Sequence, residues 1–161
     1  MLESWDSFFV AETAAAAALL GLLFVAISIN LKQVLEAGGL TDRALSALLL
    51  LLAILILGLL LAMPDQPLSV LGVETLAVSI VTGIIGTPLG LRGLRLADKQ
   101  YWVNFLLNVV GFIGVLVVIA IGGLQMFGGG EAGFYWIGVG MCLALIKAVS
   151  EGWIFLIEIN R

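Results

Sequence analysis

The chain has 161 residues, of which 62% are hydrophobic and only 11% charged, with a formal net charge of −4. A water-soluble domain of this length needs more polar surface to stay dispersed, and a mean hydropathy of +1.22 fits helices that face hydrocarbon instead. Histidine is absent and cysteine occurs once, which excludes CxxC redox chemistry, histidine-ligated haem and the His/Cys sets that bind zinc.

The opening stretch "MLESWDSFFV" carries Glu3 and Asp6 and no basic residue. A secretory signal peptide starts with a basic region, so the first apolar segment, over 8–30, reads as a retained span. Glu12 lies within a turn or two of its outer boundary and Asn30 near its inner end, on one side of the helical wheel with Ala16 and Ala26 between them. The alanine run predicts close packing near a bundle axis. Glu12 reads either as an ion site or as an interfacial acid that snorkels outward. The connection "EAGGLTD" follows, with Thr41 and Asp42 as candidate N-caps for the next helix.

The second span, over 43–63, is leucine and isoleucine on every side. With no polar stripe, it is expected at the lipid-facing periphery. The turn "MPDQP" leads to the third span, over 69–92, in which Gly83, Gly86, Gly90 and Gly93 form a stripe and "GTPLG" matches GxxxG. Such stripes let helix backbones approach closely, which is a packing signal before it is a functional one. Pro88 removes a backbone donor and predicts a simple bend. Glu74, far round the helix from the glycines, reads as an interfacial acid.

After "ADKQ", the fourth span, over 102–126, aligns Asn104, Asn108, Gly111, Val118 and Gly122 on one face, with Gln125 beside it. The loop "FGGGEAG" then leads into the fifth span, over 134–157. Here Lys147 and Glu151, four residues apart, share a face and can pair. That stripe continues upward through Gly140 and Ala144 to Gly133, and downward to Ile154 and Glu158. A charge near the middle of a bilayer costs roughly 2.5–3.5 kcal/mol on the insertion scale, so such a face is turned to protein or water rather than lipid. Asn104 and Asn108 fall at about the depth of Glu151. The two faces predict a polar cluster in the inner half of the membrane. Cys142 reads as a packed, inert thiol.

Lys32 and Arg43 flank the first loop, Arg92, Arg95 and Lys99 the third, and Arg161 ends the chain. The N-terminus, the second loop and the fourth contain no basic residue. The positive-inside rule then makes the basic side cytoplasmic and the topology N-out/C-in. Trp5, Tyr135 and Trp136 mark the outer boundary, and Tyr101, Trp102 and Trp153 the inner one. Glu3, Asp6, Glu12, Asp65, Glu74 and Glu131 give the outer side a purely acidic character, which reads either as ordinary solubilising acids left where the positive-inside bias removes basic residues or as a face that attracts cations through fields screened over about 8–10 Å.

The expected fold is therefore all-α: a polytopic integral membrane protein of the plasma or inner membrane, one transmembrane helical domain over 1–161 with five spans and no soluble domain. No nucleophile–base set, phosphate loop or nucleic-acid patch is present, so no catalytic residue, cofactor or metal is expected. A retinal-type Schiff base on Lys147 would need more wall than five helices supply. Two functions fit. One is an ion channel or ion-coupled transport protein, cation- or proton-linked and homo-oligomeric, using Lys147, Glu151, Asn104, Asn108 and Glu12. The other is a non-catalytic scaffold or accessory subunit, in which Gly83, Gly86, Gly90, Gly140 and Ala144 pack helices and the polar pairs only hold them in register. A hydrated lumen favours the first, and a dry interface the second.

Overall fold

The computed structural model describes residues 3–36, 40–96 and 102–159. Within them every element is helical: α1 (Glu3–Ile29), α2 (Leu31–Glu36), α3 (Leu40–Leu61), α4 (Leu68–Leu96), α5 (Trp102–Phe127) and α6 (Gly133–Ile159). Five of these, all but the short α2, are long and apolar enough to cross a membrane.

Close contacts fix the directions of the helices. Gly72 at the start of α4 meets Gly123 and Phe127 at the end of α5, while Gly90 meets Val109, so α4 and α5 are antiparallel. Gly122 meets Gly133 and Gly111 meets Lys147, so α5 and α6 are antiparallel too. One end of the bundle carries the start of α1 and the turns at 62–67 and 128–132. This is the acidic end, and the opposite one, with Lys32, Arg43 and Arg92, is the basic end.

Helices α3, α4, α5 and α6 pack in a ring, each against the next, and α6 closes back onto α3. Helix α1 lies outside the ring on α3 and, less extensively, on α6. This reverses two expectations. The leucine-rich second span is the hub, with 56% of its most apolar window buried, against 17% for α1. In hydrocarbon, leucine is as comfortable against lipid as against protein, so apolarity does not select the periphery. Small residues select the contacts instead. Ala44, Ala47 and Ala53 of α3 are buried, and a side chain at Gly58 would overlap Thr13 of α1. Among the described side chains of α1 one narrow stripe is buried, Phe9, Glu12, Ala16 and Leu23, while Ala14, Ala15, Ala17 and Ala18 of the alanine run are exposed.

Two apolar clusters fill the bundle. Phe9, Ile54, Leu57, Ile119, Phe134, Ile137 and Met141 belong to the acidic half, and Val34, Ala44, Ala47, Leu50, Phe112 and Ala148 to the basic half. At the acidic end, Trp5 stacks on Phe9 and Phe134 and meets Tyr135 edge-on at 4.8 Å, tying α1 to α6.

The connections follow from local chemistry. Asn30 breaks the helix between α1 and α2, and its side-chain amide donates to the Ala26 carbonyl at 2.9 Å. Thr41 is not an N-cap. It sits in the first turn of α3, and its hydroxyl donates to the Val34 carbonyl at 3.0 Å, near the end of α2; Asp42 is the acid of that first turn. In the second turn Asp65 takes φ 58°, which a short polar side chain tolerates. Helix α5 ends in a Schellman motif: Gly129, at φ 81°, donates to Met126 at 2.9 Å and Gly130 to Gln125 at 2.8 Å. Helix α4 continues through Pro88, which is exposed, so the missing hydrogen bond lies on the outer surface of the bundle.

Candidate functional site

Two polar sites lie between the helices. The first is on α6, where Lys147 and Glu151 are one turn apart and form an ion pair. Glu151 is 3% exposed and Lys147 17%. The lysine stem runs along α5 where Gly111 leaves space, and a methyl group added at Gly111 would stand 3.2 Å from Lys147 Cε. Asn108, one turn along α5 from Gly111, is half-buried. The side chains of Asn104 and Glu158 lie outside the described residues. From α3, Arg43 acts on Lys147 as a like charge and is itself engaged within the chain. The structure thus brings the Lys147–Glu151 face onto the glycine–asparagine face of α5, in an interface with little exposure.

Glu151 accepts from Lys147 through Oε1. Its other oxygen, Oε2, is buried with no hydrogen-bond partner among the described residues. Such an oxygen is costly in low dielectric unless it carries a proton or meets a cation.

The second site joins α1 to α6. Glu12 does not extend outward from the bundle: it is 8% exposed and accepts a hydrogen bond from the Cys142 thiol at 3.0 Å. Its Oε2 is also buried without a partner among the described residues. Cys142 is therefore the donor to a buried carboxyl rather than only a packing thiol. The two helices run in parallel from the Trp5–Tyr135 contact, and each reaches its polar residue seven positions further on. Equal depth was legible in the sequence; the adjacency of first and last helices was not.

The sites are distinct. Lys147 is five residues beyond Cys142, about 7.5 Å deeper and about 140° round α6. Cys142 is on the α1 flank and Lys147 on the α5 flank, with buried Ala144 and Ala148 between them. Glu12 thus does not join the Lys147–Glu151 cluster. In the acidic half the axis is filled by Ile54, Leu57, Ile119, Ile137 and Met141, each at most 2% exposed.

A third polar feature escaped the sequence reading. Thr75, Ser79 and Thr82 of α4 are buried at 1%, 5% and 4% exposure, and the Ser79 hydroxyl returns to the Thr75 carbonyl at 2.9 Å. They share the α5-facing side of α4 with Gly72, Gly83, Gly86 and Gly90, which meet the backbone of Gly123 and Phe127, Leu116, Phe112 and Val109 respectively. The hydroxyls repeat at the same spacings of three and four as the glycines, and that was the available signal. On α6, Gly140 packs on Ile119 and Ala144 is 1% exposed. Glu74 is half-buried, with one oxygen lacking a partner among the described residues.

Among the described residues no three His, Cys, Asp or Glu side chains are grouped closely enough to hold a metal ion. The chemistry on offer is that of two isolated buried carboxyl groups, one beside a thiol and one beside an amine. No protein-family model, curated protein or solved structure matches the chain.

Proposed function

We propose that this chain is a proton- or cation-linked membrane transport protein, working as a homo-oligomer, in which Glu12 and the Lys147–Glu151 pair are the groups that load and release the ion. One observation carries this reading: two carboxyl groups lie between helices at different depths, each with one oxygen lacking a partner among the described residues. Intramembrane carboxyls cost free energy to bury, and a proton or cation is the natural complement of such an oxygen.

The filled axis of a single copy directs movement to the helix seams, α1 against α6 for Glu12 and α5 against α6 for Glu151. A second copy would supply the wall that one thin bundle lacks. The acidic end, taken as external, gathers cations. The basic end, taken as cytoplasmic by the positive-inside rule, puts the protein in the plasma or inner membrane as N-out/C-in.

A second reading is favoured by the same filled axis and by glycines that bring backbones together at Gly72, Gly122 and Gly133. It is a non-catalytic scaffold or accessory subunit whose polar pairs fix register. Proteoliposomes separate the two. Under the transport reading, purified protein dissipates an imposed proton or cation gradient, and Glu12→Gln, Glu151→Gln or Lys147→Met changes the rate. Absence of flux for protons and common cations across pH and voltage leaves the scaffold reading.

A further inference from the structure

On the opposite side of the molecule from α6, a groove of about 440 Å³ runs over α3 between α1 and α4. Leu20 and Phe24 form one wall, Ile85 and Leu89 the other, and the floor includes Leu45 and Leu49. Phe24 and Ile85 are 64% and 51% exposed, so the groove is open to the surroundings of the bundle. It lies in the basic half, because Leu45 is one turn into α3 and Leu89 is within two turns of the end of α4.

We infer that this groove is a binding site for an anionic phospholipid, with an acyl chain in the groove and the phosphodiester headgroup at the end of α4. The charge pattern supports that occupant. Arg92 follows Leu89 by three residues on the same face of α4, about 4.5 Å nearer the basic end, and is exposed. Arg95 lies three residues further along the same helix. Lys32 is exposed on α2 at the end of the α1 wall. On α3, Asp42 lies about 70° round the helix from the groove stripe, whereas Arg43 is on the far side, toward Lys147. Arginine binds phosphate oxygens in a planar fork, and basic pockets between membrane helices select anionic headgroups.

Size favours an acyl chain over a partner helix. The floor from Leu45 to Leu52 spans seven residues, about 10 Å, a third of the length of a spanning helix, about 30 Å. At the acidic end the seam is closed where Thr13 packs on Gly58.

The test is native mass spectrometry of the full chain released from mixed micelles holding dioleoylphosphatidylglycerol and dioleoylphosphatidylcholine at equal concentration. Wild type is expected to retain phosphatidylglycerol at least fivefold over phosphatidylcholine. Arg92→Gln with Arg95→Gln brings the ratio near one. Ile85→Trp, an exposed position that does not endanger folding, lowers retention of both lipids by filling the groove. Added inorganic phosphate at millimolar concentration leaves the bound lipid in place. Equal retention of the two lipids by wild type overturns the inference. So does a preference that survives the double substitution or the tryptophan, or displacement of the lipid by phosphate alone.

Discussion

The thiol of Cys142 reaches the carboxyl of Glu12 at 3.0 Å across 130 positions of sequence, and this contact fixes how the first and last helices meet. Together with the Trp5–Tyr135 contact, seven residues earlier on each helix, it makes α1 and α6 parallel at a shared depth. A Glu12→Cys variant is therefore expected to be bridged to Cys142 by a short bifunctional thiol reagent, consuming both free thiols. Ala14→Cys, on the exposed side of α1, is not bridged. Intact mass reads the result, one reagent spanning two thiols marking the bridge, and a Glu12→Cys variant without it would mean that α1 docks elsewhere.

The buried ion pair gives a stability prediction. Lys147→Met leaves Glu151 buried without its partner, and breaking such a pair costs about 3–5 kcal/mol. Changing both residues to methionine removes the uncompensated charge and restores most of that loss. Detergent unfolding midpoints for the two single variants and the double variant form a cycle. If the double variant loses the sum of the two single losses, the pair is not coupled.

Glycine substitutions should divide by what stands in front of them. A Cβ at Gly72 would come within 2.5 Å of the Phe127 nitrogen and 2.6 Å of the Gly123 oxygen, and backbone cannot step aside. At Gly83 the nearest atom is a Leu116 methyl at 3.5 Å, an ordinary contact. Gly72→Ala is expected to lose about 1–3 kcal/mol or more through overpacking, and Gly83→Ala to be near neutral. Thermal melts monitored by size exclusion distinguish them.

Orientation can be read by labelling. In a Cys142→Ala background, an impermeant maleimide added to intact cells should modify Ser7→Cys, at the acidic end, and spare Gln33→Cys, at the basic end. Both positions are exposed. The reverse pattern would invert the topology and move the acidic face to the cytoplasm.

The sequence showed some levels of this fold and hid others. Span limits were visible because hydrocarbon demands uninterrupted apolar length. The expected 102–126 and 134–157 differ by at most two residues at each end from Trp102–Phe127 and Gly133–Ile159. The meeting of Lys147 with the Gly111 face was legible because a charge inside a membrane must face protein, and spacing says which neighbours share its side. What could not be read was the position of each helix in the ring. Leucine carries no preference between lipid and helix, so α3 gave no sign of being the hub. The burial of Glu12 was hidden for the same reason, because its surroundings depend on which helix α1 leans against. Cys142 took its meaning only from that neighbour.

The central position of α3 also bears on how the protein is made. Its window has a mean hydropathy of 3.1, above those of the other four spans, so it can enter the bilayer without help from any later segment. It leaves the ribosome before α4, α5 and α6 and waits in lipid as a ready-made template. Alterations at Ala47 or Gly58 should therefore leave insertion intact and produce a chain that is fully threaded through the membrane yet unassembled, a form that membrane quality-control proteases would be left to remove.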